Sequence, residues 1–253
     1  MKLYFITIIL VIFISSCNSN ESDSTKNAAP SEEVKRENKI GDDPHEGVNM
    51  HMDTMLRHVD HLAEVTDIEY GVDRVPASLY DGNKIIEAVK WKDSLGVNLL
   101  FITLSEERSQ FGENRIRELF AYQYILEEPR PRFLWKIYDF VKDCPFDITL
   151  AYMDKSLTVT DLNDNGIAET TFLYKLSCRS DVSPDDMKLI MHEGFKKFAI
   201  RGSMILKIND EEPTKGEMNL DVSFEDAQRV LRNYAIGQWD KFNKEFVGEK
   251  YDK

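Results

Sequence analysis

The run Asp161-Leu162-Asn163-Asp164-Asn165-Gly166-Ile167-Ala168-Glu169 sets oxygen-bearing side chains at alternate positions. A hard cation such as calcium takes about six to eight oxygen ligands. Asp161, Asn163 and Asn165 alternate, so a tight loop can turn all three inward. Gly166 permits the sharp turn. Ile167 can offer its backbone carbonyl, and Glu169 a carboxylate. An EF-hand needs a Glu at the twelfth loop position. That position is Phe172 here, and the flanks read as strands, not helices. The same residues also fit a metal-free Asn-Gly turn closing a hairpin. Only two carboxylates supply charge, so both readings stand. In either one the loop braces the fold and does no catalysis.

Other reactive residue types are sparse. His45, His51, His58 and His61 gather near an apolar pattern of Met52, Met55, Leu56, Val59 and Leu62, which predicts a short amphipathic helix. A polar helix flank explains these His better than a metal site, because no Cys or tight His-x-x-x-His pair accompanies them. No Gly-x-Ser-x-Gly elbow, His-Glu-x-x-His pair or phosphate-binding Gly-rich loop is present. Acidic residues are plentiful, so a carboxylate pair for glycoside hydrolysis stays open. Lys196-Lys197, with Arg179 and Arg201, could meet an anionic glycan. An ordinary solvated strand flank explains them as well.

Cys17 carries the clearest signal about location. Met1-Lys2, an apolar run from Leu3 to Ile14, and then small residues form a secretory signal peptide over residues 1–16. The run is shorter than the roughly 20 residues of a spanning helix. Ile14-Ser15-Ser16-Cys17 resembles the lipobox of bacterial lipoproteins. That resemblance implies cleavage before Cys17, lipid on its thiol and new amino group, and attachment to the cell envelope, expected to be at the outer membrane. Residues 17–45, from the acylated Cys onward, are Ser-, Asn-, Glu- and Lys-rich and read as a disordered tether. Residues 46–250 are expected to form a single globular domain. The formal charge is −13. An acidic surface argues against nucleic acid or an anionic bilayer surface as the main partner, so the lipid must be the anchor. An exported compartment permits a Cys144–Cys178 disulfide, although two separate buried thiols also fit the sequence.

The elements that would hold these residues read as strands, then a helix. Ile85–Trp91 and Asn98–Leu104 flank a hairpin-like break. Leu134–Val141 follows. Leu157–Leu162 and Ala168–Leu176 form a second pair around the Asp161 loop. Met187–His192 and Phe198–Ile208 form a third, with Gly202 expected as a bulge. Ser223 is expected to cap a terminal helix, with Glu225 and Asp226 in its first turn. Phe224, Ala227, Val230, Leu231, Tyr234 and Trp239 would form its stripe. The fold class is α+β and β-rich: a mostly antiparallel sheet built of hairpins, with a C-terminal amphipathic helix.

Several stretches together resemble a family. They are Trp135–Cys144, Thr160–Glu169 running into Tyr174-Lys175, Cys178–Pro184 leading into Met187–Met191, and Lys197–Gly202, with Tyr234 and Trp239 downstream. The chain is similar to Bacteroidota envelope lipoproteins associated with surface polysaccharide, in particular lipopolysaccharide, biosynthesis. The Asp161 run also resembles calcium loops in hairpins of integrin-like and related β-repeats. The family resemblance implies an accessory role in binding or assembly, with surface glycan or its biosynthetic proteins as partners. It supplies no catalytic residue. The rival expectations are an envelope glycan hydrolase and a calcium-braced adhesion or ligand-binding lipoprotein.

Overall fold

The computed structural model describes residues 64–248, except 72, 74, 81, 82 and 111. The leader, Cys17, the tether and the His-bearing segment lie outside the described residues, apart from the end of that segment at residues 64–65.

Alternating apolar and polar side chains build two antiparallel sheets of six strands each. The first holds β1 (Thr66–Tyr70), β2 (Lys84–Asp93), β3 (Gly96–Leu104), β4 (Arg108–Ser109), β5 (Arg115–Ile125) and β6 (Arg132–Cys144). Its path is β1-β2-β3-β5, with β4 and β6 both pairing to β5. The second holds β7 (Asp147–Tyr152), β8 (Thr158–Thr160), β9 (Glu169–Arg179), β10 (Asp186–Glu193) and β11 (Lys196–Ser203), together with β13 (Asn219–Leu220). Between β11 and β13 comes β12 (Ile205–Ile208). It leaves the sheet and pairs in parallel with β14 (Lys244–Val247), the strand after helix α1 (Arg229–Phe242). The β-rich antiparallel architecture with one helix near the C-terminus agrees with the sequence reading. The single expected sheet is two sheets, and β12–β14 is a parallel addition. The long strand β5 lies between two strands that the sequence reading did identify.

The register decides which side chains meet. One face of the first sheet, with Trp91, Leu100, Ile102, Leu119, Ala121 and Ile137, packs on Phe172, Tyr174, Ile190 and Ala199 of the second. The other face of the second sheet, with Leu173, Leu189, Met191, Phe198 and Ile200, receives Leu231, Ala235 and Trp239 of α1. Both faces of the middle sheet are therefore covered, which explains the long apolar runs of β9–β11. Cys144 at the end of β6 bonds Cys178 on β9 across 34 residues of sequence. A loop of that length corresponds to about 3–4 kcal/mol in the chain-entropy account.

Two local expectations need correction. Gly202 is not a bulge: it pairs in register with Met187. A Cβ there would sit 1.9 Å from the Glu217 carbonyl oxygen, so glycine serves a close backbone crossing. The helix begins at Arg229, not after Ser223. Residues Val222–Phe224 form a separate 3-10 turn that buries Phe224, and the Ser223 hydroxyl caps nothing. Seating Phe224 in the core fixes the chain direction before the helix can start. Val230 then lies exposed.

Candidate functional site

Two polar centres of opposite sign lie on the middle sheet. The first is the Asp161 loop between β8 and β9. Asp161 accepts the backbone N–H groups of Asn165 (3.1 Å) and Gly166 (2.9 Å). Asn163 Oδ1 accepts the Asn165 N–H, and Asn165 Oδ1 accepts the Ile167 N–H. Gly166 adopts a positive φ of 74°. Both carboxamide groups donate to Glu193 Oε1, each at 2.6 Å. Glu193 ends β10 and pairs directly with Glu169. Glu169 is fully buried. Its Oε2 accepts the Leu162 N–H at 2.8 Å and the Thr160 hydroxyl, whereas its Oε1 has no partner. Burial above all, with the Glu193 charge nearby, pushes its carboxyl up to about 7.

The loop is also pinned from the first sheet. Asp93, at the β2–β3 turn, accepts hydrogen bonds from the Trp91 indole, the Asn98 amide, and the N–H groups of Leu95 and Ala168. Ser94 N–H donates to the Gly166 carbonyl at 2.8 Å. Of the five loop residues singled out in the sequence, Asp161, Asn163, Asn165 and the Ile167 N–H are linked by these hydrogen bonds, whereas Glu169 bonds Thr160 and Leu162. Glu193 and Asp93 join them from distant segments. Among the described residues, no three His, Cys, Asp or Glu side chains by themselves form a metal-binding group.

The second centre is cationic. The first sheet's end strand, β6, crosses the face of β9, β10 and β11. A cavity of about 290 Å³ opens there, lined by Lys136, Tyr138, Asp139, Tyr174, Lys188, Lys197 and Arg201, with Ile137 and Ile190 at its floor. Lys188, Lys197 and Arg201 face it with one carboxylate, Asp139, in a chain of net charge −13, whereas Lys136 and Tyr138 border it from β6 with their side chains turned to the other face of the first sheet. Lys188 and Arg201 are cross-strand partners, and Lys188 pairs with Tyr174 on its other side. Asp139 accepts hydrogen bonds from Tyr174 and Lys188. Burial, then the adjacent Asp139, raises the Tyr174 hydroxyl far above its ordinary value, so it stays protonated. Arg201 pairs with the exposed Asp221. Lys197 points outward beside buried Ala199. The Lys136 ammonium lies over the Phe120 and Tyr122 rings, at 4.6 and 5.1 Å from their centroids. Tyr138 stacks on Phe120 at 4.9 Å on that same face and is 49 % exposed.

The basic run of the sequence is thus divided. Lys197 and Arg201 line the cavity. Lys196 lies over the Phe198 ring, and Arg179 pairs with buried Asp185. Lys188 stands alone in sequence, and only the strand register sets it between Tyr174 and Arg201.

Beside the cavity His192 is buried and stacks on Trp135, with ring centroids 3.9 Å apart. Burial, then the Lys197 charge, lowers it to about 3. It is neutral at any ordinary pH.

Comparison of the chain with protein-family models, with curated proteins and with solved structures finds no match.

Proposed function

We propose that this chain is a lipid-anchored protein of the bacterial cell envelope that binds an anionic surface glycan and acts as an accessory in its assembly or display. The carrying observation is the cavity faced by Lys188, Lys197 and Arg201 on an otherwise acidic protein. Converging cations on rigid strands suit carboxylate or phosphate groups, and Arg201 can bind such a group through two N–H donors. The surrounding negative charge disfavours nucleic acid, whose binding needs a broad basic surface. The lipobox at Cys17 and the resemblance to polysaccharide-associated lipoproteins support the same reading.

The cavity favours binding over glycoside hydrolysis. Hydrolysis ordinarily uses two carboxyl groups flanking the bond. Among the residues lining the cavity, Asp139 is the one carboxylate, and Tyr174 and Lys188 already hold it. The cellular test is a gel and immunoblot of surface polysaccharide from a deletion strain and its complemented counterpart. A lost or shortened ladder, restored by the wild-type gene but not by Lys197→Glu/Arg201→Glu, is expected. An unchanged ladder contradicts the proposal.

A further inference from the structure

We infer that the cationic cavity reads two acid groups on one glycan segment, one at Lys197 and one at Arg201, with the sugar between them lying on an apolar floor. On the glycan reading above, on which this rests, the ligand is an oligomer that carries acids on separate sugars. Along β11, Lys197, Ala199 and Arg201 share one face, because side chains alternate along a strand. Four residues of strand set the backbone positions of the two cations about 13 Å apart. Ala199 between them is fully buried, and its cross-strand partner on β10 is Ile190. Ile137 of β6 lies against that middle row. Along the strand the cavity therefore runs cation, apolar floor, cation.

The two outer rows differ in how their charge is used. In one, Lys188 lies between Tyr174 and Arg201, and Asp139 accepts hydrogen bonds from Lys188 and Tyr174. Asp139 neutralises Lys188 and leaves Arg201 as the cation of that row. Arg201 pairs with Asp221, and their side chains are 44 % and 34 % exposed. An ion pair so open to water contributes little, so a ligand acid can replace Asp221 at small cost. In the other row Lys197 is the cross-strand partner of His192, which is buried and neutral. Lys197 is exposed and makes no ion pair among the described residues.

A single carboxylate or phosphate is much smaller than the distance between these rows. An acid held by Lys197 leaves Arg201, with its fork of N–H donors, to a second acid. The side chains of Ile137, Ile190 and Ala199 offer no hydrogen bond, so the space between suits the face of a ring and not a third charge. A lone acidic sugar or a free phosphate fills one end only.

The test is calorimetric titration of galacturonate, and of its oligomers up to the tetramer, into the purified protein. The tetramer is expected to bind about tenfold tighter than the monomer or better, beyond the gain from counting its acids, because the second contact is intramolecular. Lys197→Gln and Arg201→Gln should each remove that gain while melting within about 2 °C of wild type, since both side chains are exposed. Binding of every length with no gain over the monomer overturns the pair of acids and leaves the glycan reading standing. A gain that survives both substitutions overturns the roles of Lys197 and Arg201. Tetraglutamate bound as tightly as the tetramer, with the same gain over glutamate, overturns a glycan as the occupant. No saturable binding of any oligomer up to about 10 mM overturns the two-acid site and the glycan reading together.

Discussion

The two ends of β9 and β10 carry opposite charge and opposite accounting. At one end Glu169 faces Glu193, and nearly every polar atom of the adjoining loop is engaged within the protein. At the other, Lys188 lies between Tyr174 and Arg201 on the opposite face of the sheet, and cations outnumber the single lining carboxylate. The comparison teaches where stability and recognition are separated. The acidic end closes on itself and locks two sheets together through Asp93. At the cationic end Lys188 and Arg201 each pair with one carboxylate, and Lys197 is exposed.

Substitutions at the acidic end should therefore unfold the protein and leave recognition by the folded fraction intact. Asp93→Ala orphans four donors in a nearly dry position. The expected loss is about 3–5 kcal/mol, or about 10 °C in melting temperature, measured by calorimetry. A smaller loss, near that of an ordinary surface change, would break the comparison. Reducing Cys144–Cys178 should cost about 3–4 kcal/mol by the same measurement, since the bond ties β6 to β9.

Charge reversal at the cationic end should do the converse. Lys197→Glu/Arg201→Glu is expected to leave the melting temperature within about 2 °C, because both side chains are exposed. Affinity for an acidic glycan should fall tenfold or more, and wild-type affinity should itself drop as salt rises.

The smallest effect concerns pH. His192 is lowered to about 3 in the fold from 6.5. The unfolded chain therefore takes up the extra proton first, and stability falls as pH drops from about 6.5 toward 3. Glu169 is raised from 4.5 to about 7. The folded protein holds that proton, so its contribution is lost as pH rises between those values. Each acts at up to roughly 1.4 kcal/mol per pH unit. The two offset between about 4.5 and 6.5, and the His192 loss emerges only below that window. Glu169→Gln removes the offset. Its acid-induced drop in melting temperature should then begin about two pH units higher, near 6.5.

The acidic end was largely legible in sequence, because its loop residues are contiguous and their alternation is a local signal. Glu193 was not, since nothing local says it will pair with Glu169. Gly202 read as a bulge because a glycine in a strand carries the same local pattern whether it bends the strand or admits another backbone. The helix start was misplaced for a similar reason: Ser223 has the chemistry of a cap, but burial of Phe224 overrides it. The cationic cavity was legible only in Lys197 and Arg201. Lys188 looks like a single solvated charge until the register sets β10 between β9 and β11.

The most direct test is calorimetric titration of one acidic surface polysaccharide, before and after chemical neutralisation of its carboxylates, into wild-type protein and into Lys197→Glu/Arg201→Glu. The account predicts saturable binding of the acidic form to wild type, and loss of that binding both on neutralisation and in the variant. Equal binding of the neutralised glycan, or undiminished binding by the variant, would contradict the cationic cavity as the recognition site.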